Sequence, residues 1–271
     1  MLQVDHLICG YHTGKPVVGP VSFHVKKGEV ACLVGPNGIG KTTLLKTVLG
    51  LLKPMSGTIT IDGKPGISYS VKDFAKTVAY VPQGHVPPFP YAVKDVVVMG
   101  CNPNMNEFSS PRSQDYDTAM EMLERMGIVH LADRDYTELS GGERQMVVIA
   151  RALAQKTEFL VMDEPTTHLD YGNGIKVLSQ VSRLADSGYT ILMITHAPDH
   201  AFWCADRIIA VGKGGFFQEG SPEEVLTEEH LKELYSVDIR LTDVSLKDVE
   251  RRIKVCVPMA INNIFQRKEN I

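Results

Sequence analysis

Residues Gly35 to Thr42 read GPNGIGKT, a match to G-x-x-x-x-G-K-[ST], set between the apolar run VACLV and the periodic stretch KTTLLKTVLGLL. A phosphate-binding loop needs that placement, after a strand and ahead of an amphipathic helix. Glycines let the backbone turn back so that successive N–H groups face an anion, and the helix start adds partial positive charge. Gly35, Pro36, Asn37, Gly38 and Gly40 would therefore line the phosphates of ATP, with Thr43 in the same set. Lys41 would reach the β and γ phosphates and Thr42 would give its hydroxyl to Mg²⁺. The bland alternative is a glycine loop of no function, which this strand and helix context disfavours.

Other short apolar runs have the length of buried parallel strands, and each stops abruptly in polar or glycine residues: VACLVG from Val30, VAYVPQ from Val78, FLVMDE from Phe159 and TILMITH from Thr190. Helical spacing fills the gaps between them. Leu44, Leu45, Val48, Leu49 and Leu52 form one stripe, expected to stop at Pro54; Tyr116, Met120, Leu123 and Met126 form another, closed by Gly127. Strands alternating with helices imply crossovers and a mainly parallel sheet, whose ligands bind beyond the carboxyl ends of the strands. Gly35, Gln83, Asp163, Glu164 and His196 are thus expected along one crest. Asp163 would hold Mg²⁺ and Glu164 would orient and deprotonate the attacking water, the alternative for Glu164 being a cap on the turn before Pro165.

The chain has 271 residues, 44% hydrophobic and 22% charged, which argues for ordinary globular folding and against disorder or a fibrous repeat. Its net charge of −4 gives no basic field for a phosphate backbone, so nucleic acid is not expected as the partner. Cys9, Cys32, Cys101, Cys204 and Cys256 show no C-x-x-C spacing and read as unpaired thiols. No apolar run approaches the roughly 18 residues needed to span a bilayer, so a membrane role requires a partner that supplies the channel.

Leu139 to Glu143 read LSGGE, followed by RQMVVIARALA. Ser140 and Glu143 form a capping box, and Gly141 and Gly142 remove side chains at the helix start, a second place where backbone could approach a phosphate. The phosphate loop, LSGGERQ, FLVMDEP, the HLD of His168 to Asp170, and ITH ending at His196 come in one order over residues 1–226, and in that order the chain resembles the nucleotide-binding subunits of ABC transporters. The resemblance implies an α/β fold: a P-loop NTPase (RecA-like) core with a mainly parallel sheet, an antiparallel β part near the N-terminus, and an inserted helical subdomain at about residues 88–157. Residues 227–271 would be a C-terminal extension. It also implies a head-to-tail dimer of two copies, in which the LSGGE helix of one closes on the nucleotide held by the loop of the other. Gln83 would be the glutamine that senses Mg²⁺ and the γ-phosphate, His196 would steady the transition state, and Asp170 would lie at the dimer seam. Tyr11 matches the aromatic that stacks on adenine, the alternative being an exposed hairpin residue.

The segment after Gln83, GHVPPFPYAVKDVVVMG, is rich in proline and apolar residues and is a candidate dock for a partner helix, in part ordinary packing of the helical subdomain. The pattern of YVPQ, FPYAVKDVVVMG and PTTHLD is similar to that of importers of iron-siderophore, haem and cobalamin chelates, and residues 106–155, with FSSPRSQDYDTAM, are most similar to the molybdate or tungstate branch. Cys101 departs from the arginine that many such relatives carry after MG. Such a subunit would sit at the cytoplasmic face of the membrane with two copies of a permease subunit and, indirectly, a substrate-binding protein. The rival reading is a soluble ABC ATPase acting on nucleic acid or ribosomes. LTEEHLKELYSVDIRL reads as a closing helix and strand, and the tail from Thr242 to Ile271 could pack on the core, contact a second copy or regulate it.

Overall fold

The computed structural model describes residues 1–12, 14–84, 90–104, 110–245 and 252–259. Part of the proline-rich segment after Gln83 (85–89), residue 105 with the start of the molybdate-like segment (106–109), and most of the tail (246–251 and 260–271) lie outside the described residues. In chain order the elements begin β1 (Leu2–Cys9), β2 (Val18–Val25), β3 (Val30–Val34), α1 (Lys41–Val48), β4 (Ser56–Ile61), β5 (Lys64–Pro65), α2 (Val71–Ala75) and β6 (Val78–Val81). There follow α3 (Val93–Val98), α4 (Ser113–Arg125), α5 (Gly141–Leu153), β7 (Phe159–Asp163), α6 (Tyr171–Asp186), β8 (Thr190–Thr195), α7 (Pro198–Cys204) and β9 (Arg207–Val211). The last are β10 (Phe217–Gly220), α8 (Pro222–Val225), α9 (Glu228–Tyr235), β11 (Ile239–Ser245) and β12 (Arg252–Pro258). The four apolar runs singled out in the sequence are β3, β6, β7 and β8.

The chain forms two compact units. One comprises Met1, Lys26–Gly28 and Asp62–Met193; the other comprises Leu2–Val25, Glu29–Ile61 and the chain from Ile194 onward.

In the second unit β1 pairs antiparallel with β2 and with β4. Its inward residues are Leu2 and Val4, then Leu7 and Cys9, so the alternation slips by one. His6, at φ 46, absorbs the slip as a bulge and donates its backbone N–H to Ser22 Oγ at 2.8 Å. Without that extra residue Leu7 would face the wrong side of the sheet. β3 is buried along all five residues and runs parallel to β9, which pairs antiparallel with β10. A strand covered on both faces needs a continuous apolar run, and VACLV supplies it. At the foot of these strands Arg207 is clamped between Glu29 (2.9 Å) and Glu219 (3.1 Å), all three largely buried.

Helix α1 stops earlier than its apolar stripe suggested. Gly50 takes φ 69 and donates its N–H to Thr47 O (3.0 Å), while Leu51 N–H reaches back to Lys46 O (2.9 Å). That pair of bonds closes a Schellman motif, so the glycine ends the helix four residues before Pro54 is reached. Beyond α9 the chain turns at Ser236, φ 56, into the β11–β12 hairpin, paired from Ile239↔Pro258 to Ser245↔Arg252. Bonds to the helices tie that hairpin down: Leu241 N–H to Glu228 Oε1 (2.9 Å), Arg240 Nη1 to Glu228 Oε2 (3.0 Å) and Cys256 N–H to Asp199 Oδ1 (2.7 Å). The closing helix and strand expected from the sequence are therefore present, the strand with a partner.

In the first unit β6 runs parallel to β7, Val78↔Phe159 through Val81↔Met162. Helices α3, α4 and α5 pack on one another. The buried face of α4 is Thr118, Ala119, Met122 and Leu123, with Met126 as cap, whereas Met120 is exposed. The stripe of large side chains chosen from the sequence is therefore turned from the true one. Ala119 supplies the missing step, because a small side chain lets the neighbouring helix approach, and Tyr116 instead donates its hydroxyl to Asp95 Oδ1 at 3.0 Å. Gly127 closes this helix as expected, with φ 73 and Ile128 N–H donating to Leu123 O. All five cysteines are free thiols, with Cys9, Cys32 and Cys101 buried. Among the described residues no helix is long and apolar enough to cross a membrane.

Candidate nucleotide site

Tyr11, the loop residues 35–43 and His196 belong to one unit; Gln83, Ser140, Gly141, Gly142, Asp163, Glu164 and Asp170 belong to the other.

The loop leaves β3 at Gly35, buried, and passes through half-buried Pro36 and exposed Asn37 and Gly38 to Gly40. Gly40 is the cap of α1 at φ 108, and a Cβ there would fall 2.3 Å from Val18 Cγ2 and 2.7 Å from Val17 Cγ1. Both the backbone angle and the space demand glycine. No side chain caps α1, and its first turn carries no acidic residue. Ser70, Ser140, Asp170, Ser221 and Thr227 do cap the helices they precede. A helix start left to its own N–H groups, next to a buried cation, suits a phosphate acceptor. The cation is Lys41, 5% exposed, whose Nζ donates to Gly35 O at 2.8 Å and Pro36 O at 3.0 Å, so the loop is wrapped round the ammonium. Thr42 is half-buried beside it.

Thr43 donates its hydroxyl to Tyr11 Oη at 3.4 Å, which brings Tyr11 to the base of the loop helix while its side chain stays 55% exposed. An exposed aromatic anchored by its hydroxyl offers a π face to a flat base. His196 is exposed, directly after β8 and two residues ahead of α7. The Tyr235 hydroxyl is buried close to the backbone of Gly35 without a partner in hydrogen-bond geometry, and burial pushes its pKa up.

In the other unit β7 ends on Asp163, 3% exposed. Burial, and after it the Asp163 carboxylate, pushes the Tyr80 hydroxyl up to about 12. Glu164 follows at φ 47, a left-handed turn that swings its carboxylate out of line with the strand. Its Oε2 accepts from Gln83 Nε2 at 3.1 Å and from Thr167 Oγ1 at 2.8 Å. Asp170 caps α6, accepting from Asn173 N–H (2.9 Å) and Asn173 Nδ2 (2.7 Å), and those bonds hold its carboxyl below the usual range. Ser140 and Glu143 close the expected capping box: Glu143 Oε2 accepts from Ser140 N–H (2.8 Å) and Oγ (2.7 Å), which lowers the Glu143 pKa.

The two glycines between them differ. Gly141 is exposed, and a Cβ there would lie 3.4 Å from Leu169 Cδ2, so it leaves backbone open to approach. Gly142 is buried, and a Cβ there would lie 2.5 Å from Asn173 Cγ. Gly142 thus has a packing reason inside the chain, which the ligand-approach reading of the sequence had not weighed.

The family model described as ABC transporter matches residues 18–167, more than half of the chain, spanning the phosphate loop, the LSGGE helix and the Asp163–Glu164 pair. The chain belongs to the ABC-transporter ATP-binding family. It is accordingly an ATPase, and its α/β fold is that of solved ABC ATPases. An uncharacterized ABC transporter ATP-binding protein of Haemophilus influenzae is 40% identical over 87% of this chain and 89% of its own. A molybdate import ATP-binding protein of the same organism is 35% identical (86% and 87%), and an iron(3+)-hydroxamate import ATP-binding protein of Bacillus subtilis is 36% identical (89% and 89%). A solved metal-chelate type ABC transporter in an inward-facing conformation matches with TM-score 0.84 and 33% identity over 95% of this chain and 97% of that one.

Two residues of this ABC ATPase that bear on the site escaped the sequence reading. Thr167 reaches Glu164, and Asn173 joins Asp170 to Gly142. Thr167 lies inside the quoted PTTHLD, three residues after Glu164, but its partner depends on the turn at Glu164, which no spacing rule announces.

Proposed function

We propose that this ABC ATPase drives import of a metal chelate or metal oxyanion as a peripheral subunit on the cytoplasmic face of a membrane. Two copies of the chain would work with two copies of a membrane permease subunit, supplied by a substrate-binding protein. One observation carries the reading: the proteins it resembles over nearly their whole length include importers of molybdate and of iron hydroxamate. Their cargoes differ at nearly equal identity, which supports a class of cargo over any one member of it.

At the site, the Gly35–Gly40 loop, the α1 start and Lys41 would hold the phosphates of ATP, and Tyr11 would stack on its base. Mg²⁺ would be held by Thr42 and Asp163, and Gln83 would sense it; when bound, it supplies positive charge at the β and γ phosphates. Glu164 would accept the proton of the attacking water. His196 would steady charge on the γ-phosphate. Ser140 and Gly141 would meet the nucleotide of the second copy, with Asp170 at the seam.

Glu164→Gln should cut turnover by about 10²- to 10⁴-fold while leaving ATP affinity intact, and should trap a dimer that gel filtration detects in ATP and Mg²⁺. A monomer under those conditions would count against the paired site. Transport class is read on the complex in proteoliposomes, where a binding protein loaded with molybdate or with a ferric hydroxamate should stimulate hydrolysis. Stimulation by neither, with strong stimulation by an unrelated cargo, would overturn the importer reading.

A further inference from the structure

We infer that Thr167 is a positioning residue for ATP hydrolysis, holding the Glu164 carboxylate together with Gln83. The inference rests on the proposed role of Glu164 as base. Glu164 stands at φ 47, where a side chain with a Cβ is strained, and its direction is not set by a regular element. Three bonds set it instead. Thr167 N–H donates to Glu164 O at 3.1 Å and closes the turn from Glu164 to Thr167. The Thr167 hydroxyl then donates to Glu164 Oε2 at 2.8 Å, and Gln83 Nε2 donates to the same oxygen at 3.1 Å.

The two donors come from different elements, Gln83 from the segment after β6 and Thr167 from the turn after β7. Two such donors on one oxygen fix the plane of a carboxylate, where a single donor would let it swing. They also keep Oε2 engaged, so the head group has a defined front and back. A base must lie within hydrogen-bond reach of the proton it takes, and small misplacement costs rate rather than substrate affinity. Gln83 alone cannot serve as a constant support, because the role proposed for it toward Mg²⁺ and the γ-phosphate draws its amide elsewhere. Thr167, three residues from Glu164 and held by the backbone of the same turn, travels with the carboxylate and keeps it oriented. Its hydroxyl proton is committed to Glu164 Oε2, so it acts through that carboxylate.

The test is steady-state ATP hydrolysis by the full-length chain with Thr167→Val, which keeps the shape and removes the donor, and Thr167→Ser, which keeps the donor. The expected result for Thr167→Val is a kcat about ten- to a hundredfold lower with KM for ATP and nucleotide affinity unchanged, and recovery of most of kcat in Thr167→Ser. In a Glu164→Gln background Thr167→Val should cost nothing further. Three results would each overturn the inference: an unchanged kcat in Thr167→Val, an equal loss in Thr167→Ser, or a loss that appears in KM. If Glu164→Gln itself keeps its turnover, the proposed base fails instead, which separates the two failures.

Discussion

A methyl group at position 142 would sit 2.5 Å from Asn173 Cγ and 2.8 Å from Asn173 Cβ, and Asn173 is itself held by both oxygens of Asp170. Alanine in a helix gains about 1 kcal/mol over glycine, whereas overfilling a packed site costs about 1–3 kcal/mol. The second effect wins, because relieving the clash requires moving the α6 start and not only a side-chain tip. Gly142→Ala should therefore lower the thermal unfolding midpoint, while the same change at exposed Gly172, where a Cβ would meet nothing nearer than Asp170 Oδ1 at 3.5 Å, serves as a reference for substitution itself; a raised midpoint for Gly142→Ala would sink the packing account. At this scale the motif residues were legible because their chemistry is local: glycine at φ 108 for Gly40, or a serine and a glutamate three apart for the Ser140 cap. Thr167 and Asn173 were not legible, since what they touch is decided by a turn and by a neighbouring helix.

Helix α7 shows what an element adds. It carries Asp199, His200 and Cys204, with the His200 ring 5.7 Å from that of Trp203 and Cys204 Sγ donating to His200 O at 2.9 Å. Burial lowers the His200 pKa, nearby His196 lowers it further, and Asp199 opposes both. A histidine held neutral by folding takes up its proton more readily when unfolded, so its contribution to stability is whole above the ordinary value of about 6.5 and is lost as pH falls below it. The unfolding midpoint should thus decline on acidification from about pH 7.5 to 5.5, and His200→Phe, which retains a ring beside Trp203, should flatten part of that decline. Identical slopes for both proteins would refute the assignment. Strand interiors were readable as elements because a doubly covered strand must be apolar throughout. The faces of α4 and the end of α1 were misjudged, one because a small residue made the contact and one because Gly50 acts before Pro54.

For the molecule as a whole, the net charge of −4 bears on the choice between the proposed importer and a clamp on nucleic acid. A protein that neutralises several phosphates of a duplex needs a basic surface, and its binding weakens steeply with salt. Duplex DNA or RNA should leave the ATPase rate within about twofold at low ionic strength; a large, salt-sensitive stimulation would reverse the choice of class. The family was legible over residues 18–167 because the chemistry of a nucleotide imposes residue types at fixed intervals. The β11–β12 hairpin was half legible, its first strand apparent from IRL and its second hidden until pairing placed it.

That hairpin meets Asp199 through the amide of Cys256, with the thiol of the same residue close to the same carboxylate. A main-chain donor is present whatever amino acid occupies the position, proline excepted. The main-chain half of the attachment thus survives a change of side chain at residue 256, whereas any change at its acceptor, a carboxylate three residues downstream of His196, removes it.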